Sequence, residues 1–269
     1  MGDTLRFTVL GCGSSPGVPR IIGDWGACDP GNPRNRRTRT AAMIERVAGD
    51  GGVTRVVIDT GPDFRAQMLA AKVDRIDAVV YTHAHADHIH GIDDLRGYWL
   101  EQRKLIDVHA DATTLTRLKH AFGYCFETPP GGSYPPIVRA HLIDPPAPLT
   151  IEGPGGDLTL EPLRQVHGDI KSLGFRVGRL AYCPDVSGFS AATVERLGQL
   201  DVLIIDALQY KTHPSHFSLG EALEWVDRLQ PARAVLTHMH TPLDYATVAA
   251  ETPESVEPAY DGMVVEIPL

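Results

Sequence analysis

Four side chains that bind transition metals lie within six positions, His83, His85, Asp87 and His88, inside the stretch DAVVYTHAHADHIHGIDDLR at residues 77–96. Alternate residues of an extended segment point the same way, so His83 and His85 can converge on one ion. A turn into helix just after them brings Asp87 and His88 within reach of a second ion. Imidazole and carboxylate together suit zinc, manganese or iron, whereas calcium and magnesium prefer oxygen donors alone. Any one of these residues alone would read as part of a solvated loop. Four at this spacing, directly after an apolar run, point to a metal centre.

The elements that must position this motif follow from periodicity. Residues 78–81 (AVVY) are apolar and β-prone and stop at Thr82, as a short buried strand would. Residues 5–10 read as a first strand that runs into the glycine-rich turn GCGSSPGVP. Pro16 and Pro19 spoil the helix that a dinucleotide fingerprint requires, so this turn is expected as a loop beside a site. Residues 40–47 and 54–59 form a strand pair across Gly49-Asp50-Gly51-Gly52. Phe64, Met68 and Ala71 mark a helix, and helices are also expected over 91–103 and 113–122, with a strand at 106–109. In the second half, strands at 158–166, 173–177, 180–183, 201–207 and 232–237 end near His167, Asp185 and His238. Ser218 and Glu221 have capping-box spacing ahead of Leu223, Val226 and Leu229, which starts a helix just after His216.

Composition sets the bounds. The 269 residues, 43% hydrophobic, can bury one large core, and a single domain over 1–269 is expected, with a Pro- and Gly-rich insertion at 123–148 near the site. No apolar run approaches the roughly 18 residues of a membrane span, and no basic-then-apolar leader opens the sequence, so a cytoplasmic protein without membrane partners is expected. Cys12, Cys28, Cys125 and Cys183 are scattered, which fits reduced thiols. The net charge of −9 argues against a large nucleic-acid surface. A homodimer is compatible with all of this.

His83-Ala84-His85-Ala86-Asp87-His88 resembles the HxHxDH signature of the metallo-β-lactamase fold, whose members are mostly hydrolases with a dinuclear metal site. GCGSSPGVP, PRNRRTR and IDTGPDFR together resemble the phosphoribosyl 1,2-cyclic phosphodiesterase branch of that superfamily. The resemblance implies an α+β fold, the four-layer αβ/βα sandwich, and two divalent ions, zinc or manganese. It implies His167 and Asp185 as further ligands and His238 as the last one, with His240 a geometric alternative. It puts Asp59 behind the metals, orienting ligands. Asp94 and Arg96 match a continuation of the motif, or form a local ion pair. Branch members often carry an extra structural zinc on three cysteines and a histidine. Here only Cys28 matches, Trp25 and Thr241 replace other ligands, and no such zinc is expected, with Trp25 filling the space. Arg36, Arg37 and Arg39 form a basic cluster that is either a solvated loop or a phosphate contact.

His216-Phe217-Ser218-Leu219-Gly220-Glu221-Ala222 matches the H-x-S/T-x-x-E-A context in which phosphodiesterases of the superfamily place a histidine over the metals. The implied reaction is hydrolysis of a small phosphodiester, cyclic ribose or nucleotide-type, to a monoester. His216 and Asp87 would act in catalysis, and His213 would assist His216 in holding the substrate. Three alternatives stay open: a tRNA 3′-end endonuclease, a glyoxalase II-like thioester hydrolase, and a nucleotide-binding sensor without turnover.

Overall fold

The computed structural model describes residues 2–269. Its strands are β1 (Thr4–Gly11), β2 (Ala41–Val47), β3 (Val53–Ile58), β4 (Ala78–Val80), β5 (Ile106–Ala110), β6 (Val138–Leu142) and β7 (Leu149–Ile151) in the first part of the chain. β8 (Leu158–His167), β9 (Ile170–Val177), β10 (Leu180–Cys183), β11 (Gly188–Phe189), β12 (Val202–Asp206), β13 (Arg233–Thr237), β14 (Val256–Pro258) and β15 (Val264–Pro268) follow. The helices are α1 (Phe64–Ala70), α2 (Ala86–Ile89), α3 (Arg96–Gln102), α4 (Ala112–Phe126), α5 (Ala191–Arg196), α6 (Leu219–Leu229) and α7 (Tyr245–Glu251). Among the described residues no helix is long and apolar enough to cross a membrane.

The chain forms two compact units, residues 2–10, 41–159 and 264–269 in one and residues 11–40 and 160–263 in the other. The chain passes between them at strand ends or within a strand, where no linker composition marks the crossing.

The first unit is built on a mixed sheet in the order β15-β1-β2-β3-β4-β5-β6. β2 and β3 are an antiparallel pair, closed as expected through residues 48–52. β3, β4, β5 and β6 are parallel, so their C-terminal ends share one edge. Val57, Val79, Tyr81, Phe64, Met68, Ile89, Leu95 and Val108 are buried in one cluster that holds α1 and α2 to this sheet. Two expectations change here. Residues 138–142, expected within a loop-rich insertion, form the edge strand β6, paired in register with β5 from Ile106↔Val138 to Ala110↔Leu142. Their burial does not alternate cleanly, so tertiary pairing decides the strand where pattern could not. Residues 92–95 form a 3₁₀ turn before α3.

The second unit carries a mixed sheet in the order β11-β8-β9-β10-β12-β13-β14. β8, β9 and β10 are antiparallel, whereas β10, β12, β13 and β14 are parallel. Asp206 pairs with Thr237 across β12 and β13, so Asp185, Asp206 and His238 all leave the same edge. Ligands gather at such C-terminal edges of parallel strands. α6 starts as its capping box predicts: Ser218 N donates to Glu221 Oε2 at 2.8 Å, and Glu221 N donates to Ser218 Oγ at 3.3 Å.

Candidate metal centre

In the first unit, residues 81–83 continue from β4 past the sheet, leaving His83 buried and His85 exposed at the N-cap of α2. Nε2 of His83 lies 2.8 Å from Nδ1 of His85, and Asp87 Oδ2 lies 3.5 Å from Nε2 of His88. The approach of α2 requires Gly61, because a Cβ there would collide with the carbonyl oxygen of Asp87. Two backbone bonds lock this approach, Thr60 N to His88 O at 2.8 Å and Gly91 N to Thr60 O at 2.7 Å.

Asp59 stands behind the histidines, as the resemblance implies. Its Oδ1 accepts from Thr82 N at 2.8 Å, and its Oδ2 accepts from Thr82 Oγ1 at 2.8 Å and from Nδ1–H of His88 at 2.7 Å. Burial pushes the Asp59 carboxyl up against the lowering pull of His88 and Thr82. Because the Thr82 hydroxyl proton goes to Asp59, its oxygen accepts from Nδ1–H of His83 at 3.0 Å. With Nδ1 of each bonded to oxygen, the neutral forms of His83 and His88 both present Nε2 without a proton, the form a metal requires.

The second unit repeats the device. His167, at the end of β8, donates from Nδ1 to the Ser215 carbonyl at 2.7 Å, and its Nε2 lies 3.9 Å from Asp185 Oδ2. Thr40 donates its hydroxyl proton to Gly13 O and accepts from Nδ1–H of His238, both at 2.8 Å. Nδ1 of His238 also lies 3.1 Å from Asp185 Oδ1. His216 donates from Nδ1 to Asp206 Oδ2 at 2.6 Å and stacks on His238, with centroids 4.6 Å apart and planes 13° apart. His167, Asp185 and His216 each place one ligand atom within 4.8 Å of the others, so His216 stands among candidate ligands as well as over them. Asp59, Asp185 and His238 all adopt left-handed backbone, at φ 68°, 49° and 60°. Such strain in non-glycine residues is held only where surrounding structure over-determines it, typically at functional sites.

The other predicted residues separate cleanly. His240 bonds through Nδ1 to Ser14 Oγ at 2.9 Å and through Nε2 to Arg20 Nη2 at 2.6 Å; burial and the Arg20 charge push its pKa down to about 4. The structure thus groups His238, and not His240, with Asp185 and His216. His213 is exposed, 5.3 Å from the His216 ring, and accepts from Ser215 N at 3.3 Å. Arg96 pairs with Asp93 at 2.8 Å. Cys28 Sγ lies 3.4 Å from the carbonyls of both Thr241 and Leu243. Trp25 is half-buried and carries Arg36 over its ring at 5.4 Å. Arg37, 1% exposed, is buried beside Cys28 and donates to the carbonyls of Leu243 at 2.7 Å and His240 at 3.4 Å. Arg39 donates to Ser15 O at 3.1 Å.

The donors fit divalent metal ions: imidazole nitrogens with their far side bonded to oxygen, beside carboxylates, at the C-terminal edges of parallel strands. Sequence reading missed Thr40, Thr82, Asp206 and the Ser215 carbonyl. Asp206 alone left a signal, a carboxylate closing the fully buried strand VLIID, where a charge needs a partner.

The β-lactamase superfamily domain matches residues 54–239, more than half of the chain. The crystal structure of a diphosphatase from the PhnP family superposes with a TM-score of 0.88 at 33% identity, covering 99% of this chain and 98% of that one. An octanoyltransferase of Porphyromonas gingivalis is 33% identical over 264 residues, which is 96% of this chain and 51% of that protein, so the chain spans about half of that relative's length. Coenzyme PQQ synthesis protein B of Pseudomonas protegens is 24% identical over 310 residues, 96% of this chain and 99% of that protein. The α+β fold class expected from the sequence is borne out, and the chain belongs to the β-lactamase superfamily, among the hydrolases of the metallo-β-lactamase fold.

Proposed function

We propose that this chain is a metal-dependent phosphodiesterase that hydrolyses a small phosphodiester or diphosphate to a monoester. It works with two divalent ions, zinc or manganese, bound by His83, His85, Asp87, His88, His167, Asp185 and His238. Such ions, when bound, supply Lewis-acid charge and make a water acidic enough to ionise near neutral pH. Asp87 accepts a hydrogen bond from the attacking water oxygen and orients it toward phosphorus. As the phosphorus–ester oxygen bond breaks, His216 gives a proton from Nε2 to the departing oxygen. Asp206 holds the imidazole by Nδ1 and stabilises its charged form, while His213 borders the substrate from its exposed loop. The capped N-terminus of α6, two residues beyond His216, favours an anion nearby.

The observation that carries this reading is the placement of His216, backed by a buried carboxylate, stacked on His238 and within ligand distance of His167 and Asp185. The kinship to the PhnP-family diphosphatase supports phosphorus as the centre attacked. The test is turnover of bis(p-nitrophenyl) phosphate by metal-stripped protein reloaded with manganese or zinc, with His216→Ala compared at measured metal content. Turnover that the variant loses while keeping its metals supports the reading. Inactivity of loaded wild type on this ester and on cyclic phosphodiesters and diphosphates sinks it.

A further inference from the structure

We infer that Gln165 is a positioning residue of the candidate metal centre: its side-chain amide, working with the Ser172 hydroxyl, fixes the left-handed turn that aims the Asp185 carboxylate, and so sets how tightly the second unit holds a metal ion. The inference rests on the reading of Asp185 as a metal ligand and deepens it.

β8 carries Gln165 and His167 two positions apart, both buried, so their side chains leave the same face of the strand. Ser172, on β9, stands opposite Gln165 in the antiparallel register, and each is 1% exposed. β10 ends at Cys183, and Pro184 and Asp185 carry the chain out of the sheet. Two side chains reach up from the sheet to their carbonyls. Gln165 Nε2 donates to Pro184 O at 2.8 Å and to Ser172 Oγ at 3.1 Å, and Ser172 Oγ donates to Asp185 O at 2.8 Å. Both amide protons and the hydroxyl proton are thereby used. The direction of every bond is set, because a flipped amide would turn its oxygen against the Pro184 carbonyl.

The carbonyls of Pro184 and Asp185 belong to the two peptide planes that meet at the Asp185 Cα. Anchoring both fixes the backbone angles of Asp185, and Val186 N on Asp206 Oδ2 at 2.9 Å holds the second plane again. Those angles are costly: Asp185 sits at φ 49°, which a residue with a Cβ keeps only where its surroundings over-determine it. They also set the direction of its side chain, which puts Oδ1 3.1 Å from Nδ1 of His238 and Oδ2 3.9 Å from Nε2 of His167. The amide is itself kept at a cost. Its oxygen is buried without a hydrogen-bond partner among the described residues, and β9 carries Gly174 beside it, where a Cβ would collide with that oxygen. An apolar side chain at position 165 would avoid the orphaned acceptor, so core packing does not account for a glutamine here.

The test is zinc affinity by chelator competition on the full-length protein, read beside the visible spectrum of the cobalt(II)-substituted protein and urea unfolding of the metal-free form. Gln165→Leu is expected to weaken zinc binding about 10- to 100-fold and to alter the cobalt spectrum, as losing the partner behind a ligand does. Leu160→Ala, a core change on the same strand, is expected to lower stability and leave zinc affinity and the spectrum as in wild type. Ser172→Thr and Ser172→Val match in shape and differ in the hydroxyl, so this pair decides even where Gln165→Leu does not fold. The first is expected to keep wild-type affinity and spectrum, and the second to lose about tenfold in affinity. Equal zinc binding and spectra in that pair, or wild-type zinc binding by Gln165→Leu, overturns the inference. Asp185→Asn is the reference. If it binds zinc as wild type does, Asp185 is no ligand and that reading fails together with the inference; if it weakens zinc while Gln165→Leu and Ser172→Val do not, the inference alone fails.

Discussion

Nδ1–H of His216 donates to Oδ2 of Asp206 at 2.6 Å, and the same carboxylate oxygen accepts from Val186 N at 2.9 Å. One fully buried carboxylate at the end of β12 thus holds both the proposed proton donor and the backbone that follows Asp185. The arrangement recurs in the other unit, where Asp59 bonds both Thr82 and His88.

Asp206→Asn keeps the volume and removes the charge that steadies a protonated His216. Activity on bis(p-nitrophenyl) phosphate is expected to fall about 10- to 100-fold, the usual effect of removing a partner behind a working imidazole. Metal content and kcat read side by side check it. A variant with wild-type kcat across the pH range would remove Asp206 from the chemistry.

Thr40→Val leaves Nδ1–H of buried His238 without its hydroxyl acceptor and Gly13 O without its donor. Stability is expected to drop by about 1–3 kcal/mol, and zinc affinity by about 10-fold or more. Urea unfolding and competition with a zinc chelator measure the two effects separately.

Gly61→Ala drives a methyl group into the Asp87 carbonyl. Overpacking of this kind costs about 1–3 kcal/mol. Here the backbone that yields carries Asp87 and His88, so metal binding is expected to suffer more than in a destabilised control such as Leu118→Ala. Metal analysis at equal residual stability decides it.

His109 and His141 stack at 4.6 Å on β5 and β6, and His141 bonds Asp107 at 2.7 Å, with Arg139 3.7 Å from the same carboxylate. Burial first, and the neighbouring His141 second, push the His109 pKa down to about 4, against the opposing pull of Asp107. The unfolded chain takes up that proton near pH 6.5 and the folded chain only near 4. Stability from neutral His109 is therefore complete above pH 6.5 and is lost as pH falls through that window. His109→Phe is expected to lose less stability than wild type between pH 6.5 and 4, as denaturation midpoints at several pH values would show.

Legible in the chain alone were the candidate ligand types, the strands that end beside them and the start of α6. These are local: the spacing of His83, His85, Asp87 and His88, the apolar runs before His167, Asp185 and His238, and the capping pair Ser218 and Glu221 all sit within a few residues. Tertiary structure alone decided β6, whose pattern is ambiguous until β5 pairs with it, and the separation of His238 from His240. It alone placed Arg37 against Cys28. It also chose the oxygen behind each imidazole. Thr40 and His238 are 198 residues apart, and a hydroxyl that orients an imidazole at that separation has no signature in the chain. Its direction is set by sheet register and by left-handed turns at Asp59, Asp185 and His238, which exist only once the strands have paired.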